Sequence, residues 1–269
     1  MKISVIIPTY KPQNYLWECL ESLKVQSFPV DDFEIVLVLN GCSEPYKSRI
    51  VQFITEKMQN INIKYIYTPE SGVSHARNIG IENSIGEYIT FVDDDDILSN
   101  NYLYELFKIS TPNCVGCANS FAFRENISER IPNFITKAYN KCKVTEFNIY
   151  NYRQFLSPPW CKLIHRNIIK ESRFRIDLKK SEDSLFCMEI TSRIVNMTLA
   201  EPTAIYYQRM RPGSAMRTKR SFKTELKDHL LVECAYIKLW VSHPLKYNFK
   251  FFISRLVACI RNFIVYIKS

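Results

Sequence analysis

Four consecutive carboxylates, Asp93 to Asp96, follow directly on the apolar stretch that ends in Phe91 and Val92. Carboxylates held this close repel one another, and a cation beside them offsets that cost. On an extended segment residues i and i+2 point the same way, so Asp93 and Asp95 can face one ligand. Hard oxygen donors of this kind suit Mg2+ or Mn2+, above all where substrate phosphates complete the shell. Taken alone, the run is equally a solvated acidic turn. A second acidic pair, Glu182 and Asp183, opens a helical pattern that continues through Leu185, Phe186, Met188 and Ile190. Acids in a first helical turn are common for dipole reasons alone. His75 has no carboxylate or nucleophile motif around it and reads as a helix or donor-pocket residue. The nine cysteines are scattered and odd in number, which suits reduced thiols in a cytosol. Cys114-Val-Gly-Cys117 has zinc spacing, but no second pair follows, so these thiols read as small core residues.

The elements that must position the acids are legible as well. Residues 3–8, 33–39, 63–67 and 88–92 are short apolar runs that read as buried strands, and helical spacing fills 12–26, 45–58 and 74–84 between them. Strands alternating with helices imply parallel pairing through right-handed crossovers, hence an α/β, Rossmann-like half over residues 1–110. Ligands of such sheets bind beyond the carboxyl ends of the strands, where Thr9-Tyr10, Asn40-Gly41 and Asp93 to Asp96 should share one crevice. No Gly-x-Gly-x-x-Gly and no Walker loop follows the first strand, which argues against dinucleotide and P-loop chemistry. Residues 111–218 are irregular apart from a helix expected over 181–195, and read as an acceptor-binding half of the same domain. Residues 219–269 read as a helical extension, with helices over 220–243 and 249–267.

The formal net charge is +9, unevenly placed: residues 1–100 carry 8 basic against 14 acidic side chains, and residues 201–269 carry 13 against 4. A nucleic-acid binder is expected to put its basic stripe on the regular core, which here is acidic. The apolar segment 249–267 is interrupted by Lys250, Arg255 and Arg261, so no uncharged stretch reaches the ~18 residues of a spanning helix. Lys250, Arg261 and Lys268 fall on nearly one line of a helix, and a broad apolar face is expected opposite. The preceding helix, a second copy of the chain or a membrane surface on its anionic side can cover that face.

Taken in order, Ser4-Val-Ile-Ile-Pro-Thr-Tyr10, Glu34-Ile-Val-Leu-Val38, Gly72 to Gly80, Gly86 to Asp96 and Ser181-Glu-Asp183 resemble glycosyltransferase family 2. The likeness runs from residue 3 to about 216 and implies the GT-A fold. It implies an Asp-x-Asp pair at Asp93 and Asp95, with Asp95 the direct metal ligand, Asp93 near the donor ribose and Asp94 in the donor site. Thr9 and Arg77 fall where the family contacts the nucleotide, and Asp183, beside Glu182, falls where it has its general base. Trp160 lies in the segment that resembles the acceptor side, where an indole can stack on a sugar, and it reads equally as a core tryptophan. Arg209, Arg211 and Gly213-Ser214 resemble a late basic loop whose arginines, Arg211 above all, pair with the diphosphate. One departure stands out: Leu39-Asn40-Gly41-Cys42 occupies the place of the family's Asp-Asp-Gly-Ser. Leucine cannot accept a hydrogen bond from a nucleobase, so Asn40 is the candidate reader, unless Asn40-Gly41 is only a tight turn.

The resulting expectation is an inverting, metal-dependent transferase that moves a sugar from a nucleotide donor, a UDP-sugar first, to a glycan or lipid-linked acceptor hydroxyl in surface or capsular glycan synthesis. It would work in the cytoplasm, with the inner membrane face as one site. The alternative is a sugar-nucleotide-binding module without catalysis.

Overall fold

Strands with no polar alternation are stable only where both faces are covered. The first two strands meet that condition: β1 (Ile3–Thr9) and β2 (Phe33–Asn40) are buried along their whole length. The computed structural model of the chain describes residues 1–143, 146–211 and 221–268. β3 (Ile63–Thr68) and β4 (Tyr88–Phe91) extend the parallel set, with Ile3 opposite both Phe33 and Tyr88. The crossovers are α1 (Tyr15–Lys24), α2 (Tyr46–Lys57) and α3 (Val73–Asn83).

The chain continues through β5 (Ile97–Leu98), α4 (Tyr102–Ile109), β6 (Cys114–Cys117), β7 (Asn119–Phe123), β8 (Ile131–Pro132) and α5 (Phe134–Cys142). Then come β9 (Lys162–His165), α6 (Arg166–Ile169), α7 (Glu182–Ile190), β10 (Asn196–Leu199), β11 (Ile205–Arg209), α8 (Phe222–Ser242) and α9 (Phe249–Lys268). The main sheet runs β10-β6-β9-β4-β1-β2-β3, and β9 is antiparallel to both neighbours. The two halves of the chain therefore share one sheet. A smaller sheet, β5-β11-β7-β8, stands at the carboxyl end of β4. This is the GT-A architecture: a parallel-rich sheet between helices, with a helical pair following it.

Two close approaches fix the first half. A Cβ on Gly80 of α3 would come within 2.3 Å of Ile6 Cγ2, so only glycine lets α3 lie this near β1. A Cβ on Gly86 would meet Ser4 N at 2.5 Å. There the Gly86 amide donates to Ser4 Oγ at 2.8 Å, Ser4 Oγ donates to Glu34 Oε1 at 2.6 Å, and that oxygen also accepts from Ile85 N. The buried Glu34 is thus a brace between strands.

The structure differs from the sequence expectation in detail. α5 stood inside the stretch read as irregular; its capping box uses Asn133 and Thr136 rather than a Ser/Thr and a Glu, and Asn133 accepts from Ile135 N and Thr136 N. α7 stops at Ile190, where a 3-10 turn at Thr191–Arg193 takes over. In α9 the face opposite Lys250 and Arg261 is not a free apolar face: Phe252 and Cys259 on it are buried. Arg255, one of the charges that interrupt the segment, is buried too and donates to Ser157 Oγ at 2.8 Å and to Arg153 O.

Candidate active site

The acidic run lies where β4 leaves the sheet. It is a turn and not an extended strand end, closed by Asp96 N donating to Asp93 O at 3.1 Å. The turn gives its four identical side chains four different partners. Asp96 is buried and accepts from Tyr206 Oη at 2.6 Å and from Arg209 N at 2.7 Å, which pins the turn to β11. Asp94 accepts from Thr9 Oγ1 at the end of β1. Asp93 accepts from Arg77 Nη2 at 2.9 Å, and Asp95 meets Arg211 Nε at 2.6 Å. Asp93 and Asp95 are therefore the two carboxylates of the run that face cations.

Arg77 projects from α3 and is buried, with its guanidinium 5.3 Å above the Phe174 ring. Its Nη1 donates to Asp183 Oδ1 at 2.6 Å. Burial alone would weaken the charge on Arg77, but Asp183 and Asp93 outweigh it and hold the guanidinium firmly protonated. Asp183 reaches this position because Ser181 adopts a left-handed conformation, φ 60°, just before α7 begins. Ser184 and Tyr236 of α8 share a 2.6 Å hydrogen bond that supports the same turn from behind.

Electrostatics divide the acids in the same way. Burial pushes the Asp183 carboxyl up to about 7, against the opposing pull of Arg77, with Glu182 and Asp93 adding to the rise. Burial likewise lifts Asp94 to about 7, opposed by the Thr9 hydroxyl and increased by Asp95. Asp95 is raised by burial and by Asp93, and Arg211 counters both. Asp96 is raised well above the carboxylate range by burial and by its acidic neighbours. A cleft that holds so many strained carboxylates against arginines is suited to binding a cation together with an anion.

Several expected site residues have protein partners of their own. Asn40 is buried; its Nδ2 donates to Thr9 O at 2.7 Å and its Oδ1 accepts from Gly72 N at 2.9 Å, so it ties the ends of β1 and β2 to the start of α3. Trp160 is only 5% exposed, and its ring is stacked on Tyr206 at 4.7 Å with 12° between planes. The face expected to take a sugar is thus covered by protein, and the indole forms the floor beneath the acidic turn. Arg209 is buried as well, donating from Nε to Asp95 O at 2.8 Å and from Nη2 to Glu18 Oε2 at 2.6 Å. Gly213-Ser214 of the late basic loop lies outside the described residues.

Sequence reading missed Tyr206, whose hydroxyl joins Asp96 to the amide of Asp93, and Glu18, the partner of Arg209. It also missed the role of Lys162: buried, it donates from Nζ to Phe155 O at 2.6 Å, Pro158 O at 2.5 Å and Trp160 O at 3.2 Å, closing the loop before β9. None of the three carries a local signal, since each acts on backbone or on residues distant in sequence.

The family profile described as Glycosyl transferase family 2 matches residues 4–173, well over half of the chain. The chain belongs to glycosyl transferase family 2. It is 29% identical over 248 residues to glycosyltransferase GlyA of Streptococcus pneumoniae, covering 86% of this chain and 33% of that one. It is 30% identical over 234 residues to the poly(ribitol-phosphate) beta-N-acetylglucosaminyltransferase TarS of Staphylococcus aureus, covering 80% of this chain and 37% of TarS. The chain therefore spans about a third of the length of these relatives. The crystal structure of TarS 1–349 in complex with UDP-GlcNAc superposes with a TM-score of 0.71 at 24% identity, over 89% of this chain and 67% of that fragment. A mannosyltransferase of Pyrobaculum calidifontis, in complex with GDP-Man and Mn2+, gives a TM-score of 0.59 at 14% identity, over 88% of this chain and 63% of that one. These two likenesses are ones of fold.

Proposed function

We propose that this family 2 glycosyltransferase moves a sugar from a UDP-sugar to an acceptor hydroxyl with inversion at the anomeric carbon, Asp183 acting as general base. The observation that carries the reading is Arg77, which holds Asp93 by one nitrogen and Asp183 by the other. Asp93 and Asp183 are thereby held one guanidinium apart, which supports reading them as a donor-side acid and a base that serve one crevice. Asp183 takes the proton of the acceptor hydroxyl as that oxygen attacks the anomeric carbon, and its carboxyl at about 7 is matched to work near neutral pH. Arg211, half-exposed beside Asp95, is the cation best able to turn to the donor diphosphate. Thr9 and Asp94, bonded to each other at the ends of β1 and β4, flank the same donor space, with Glu182 beside the base.

The donor set also fits a divalent metal. Among the four aspartates, Asp96 and Asp94 are engaged by hydroxyl and amide donors, while Asp95 and Asp93 face Arg211 and Arg77, and these two are the carboxylates that would hold Mg2+ or Mn2+ beside those arginines. Among the described residues no cluster of three or more protein ligands exists, and a magnesium-type site completes its shell with phosphates and water. Such an ion, when bound, would offset the charge that builds on the departing diphosphate.

The UDP-sugar and the acceptor class are supported by the relatives, one crystallised with UDP-GlcNAc and named for a poly(ribitol-phosphate) substrate. We extend from them a glycan or lipid-linked hydroxyl acceptor in surface polysaccharide synthesis. Nine unpaired thiols suit a cytoplasmic setting. The test is a panel of UDP-, GDP- and dTDP-sugars scored by thermal shift with and without Mn2+, with transfer measured for the parent and for Asp183→Asn. A metal-dependent shift with a UDP-sugar, and transfer reduced about a hundredfold or more in Asp183→Asn with the shift intact, is the expected result. A shift with no transfer to any hydroxyl acceptor would instead mark a sugar-nucleotide-binding module.

A further inference from the structure

The helical pair α8 and α9 presents an outer surface that the crevice chemistry does not use. On α9 the exposed residues Ile253, Val257, Ile260, Ile264 and Ile267 recur at steps of four and three. At about 100° per residue they form a strip some 80° wide, while Phe251, Phe252 and Cys259 on other sides of the helix are buried. Lys250 and Arg261, both exposed, lie about 60–80° from the middle of that strip and line one of its edges. In the turn between the two helices Leu245 is fully exposed, next to the exposed Lys246. A leucine held wholly in water at the tip of a turn, continuous with a strip of isoleucine and valine, calls for a covering surface.

The charges identify what covers it. The exposed ionic side chains of the described residues 221–267 are all cations, Lys223, Lys227, Lys238, Lys246, Lys250 and Arg261. The three acids of that stretch, Glu225, Asp228 and Glu233, are buried or half-buried, and Glu225 and Glu233 pair with Lys180 and His229. A second copy docked by a two-fold axis would bring this basic edge against its own image with no exposed acid to meet it. An anionic lipid surface complements both features, since its headgroups take the cations and the region just beneath takes the apolar strip. Among the described residues no helix is long and apolar enough to cross a membrane, and a helix lying in the interface needs no such length.

We propose that α9 and the α8–α9 turn lie on an anionic membrane surface, with Leu245 and the Ile253 to Ile267 strip seated below the phosphates and Lys246, Lys250 and Arg261 among them.

The test uses the full chain and vesicles of phosphatidylcholine alone or mixed equally with phosphatidylglycerol. The chain should sediment with the mixed vesicles, and high salt should release it. Each cation at the surface contributes about fivefold in partitioning, so Lys250→Glu with Arg261→Glu should weaken it about 25-fold or more. Leu245→Asp should weaken it independently. Melting temperature and UDP-sugar binding of these surface variants should match the parent, which separates a lost surface from a lost fold or a wrong reading of the crevice. Sedimentation of the charge-reversed protein equal to the parent's would overturn the proposal. So would a lipid-free dimer dispersed by Ile260→Asp, which would assign the strip to a second copy of the chain.

Discussion

Arg77 Nη1 stands 2.6 Å from Asp183 Oδ1, while the same guanidinium reaches Asp93 Oδ1 at 2.9 Å. A residue of α3 is thereby shared between the turn after β4 and the first turn of α7, 106 positions apart in sequence from one of its partners. The electrostatic consequence is mutual. The two acids keep Arg77 charged in a buried place, and Arg77 opposes the burial that lifts Asp183. A ligand that draws Asp93 away would alter the surroundings of Asp183, so under the proposed function donor binding and proton transfer would be linked through one side chain.

Replacing Arg77 by Met should therefore raise the Asp183 carboxyl further above its present value of about 7. The acid limb of kcat/KM against pH should move to higher pH, and transfer at neutral pH should fall more than tenfold, since less of the base is then ionised. Arg77→Lys should recover part of the shift. A limb that stays in place in Arg77→Met would show that the base is not the carboxylate Arg77 touches.

Asp94 and Asp183 also make the free protein respond to acid in an unusual direction. Burial pushes both carboxyls up to about 7, against 3.8 for an ordinary aspartate in an unfolded chain. Between those values the folded chain binds protons that the unfolded chain has released, so stability falls as pH rises through that window. The contribution is fully present below 3.8 and is gone above about 7. Lowering the pH from 7.5 toward about 5.5 should accordingly raise the melting temperature of the ligand-free protein by a few degrees. Asp94→Asn should flatten the response. A melting temperature that drops steadily over the same range would contradict the raised titration of these two half-buried carboxyls.

Much of this could be read from the chain alone, and the boundary has a physical cause. β1 to β4 were legible because strands covered on both faces leave an unbroken apolar run, and the crevice followed because ligands gather at the carboxyl ends of such strands. The acidic run announced itself by cost alone. What the sequence could not reveal was the division of labour within it, because four adjacent aspartates look alike until Tyr206 and Arg209 arrive from β11 to occupy Asp96. For Asn40 and Trp160 the chain alone left a ligand role and a structural role both open. Each has a side chain suited to a ligand, and each is engaged by a partner distant in sequence, Gly72 for the amide and Tyr206 for the indole.

That division of labour yields the sharpest prediction. Asp96 and Asp95 are neighbours in the chain with opposite surroundings: one is buried and hydrogen-bonded on both oxygens, the other meets the half-exposed Arg211. Asp96→Ala leaves the Tyr206 hydroxyl and the Arg209 amide without their acceptor, at a cost of about 1–3 kcal/mol for each buried donor. The melting temperature should fall by several degrees, and whatever protein remains folded should keep its Mn2+-dependent response to a UDP-sugar. Asp95→Ala should do the reverse. Its melting temperature should stay near the parent's or rise, since removing one of several crowded carboxylates relieves repulsion. The Mn2+-dependent shift should vanish, because the donor diphosphate would then enter an acidic crevice with its principal metal ligand gone. Thermal denaturation of both variants, with and without Mn2+ and UDP-sugar, distinguishes the two roles in one experiment. Loss of the metal response in Asp96→Ala together with its retention in Asp95→Ala would exchange the roles assigned to the two aspartates.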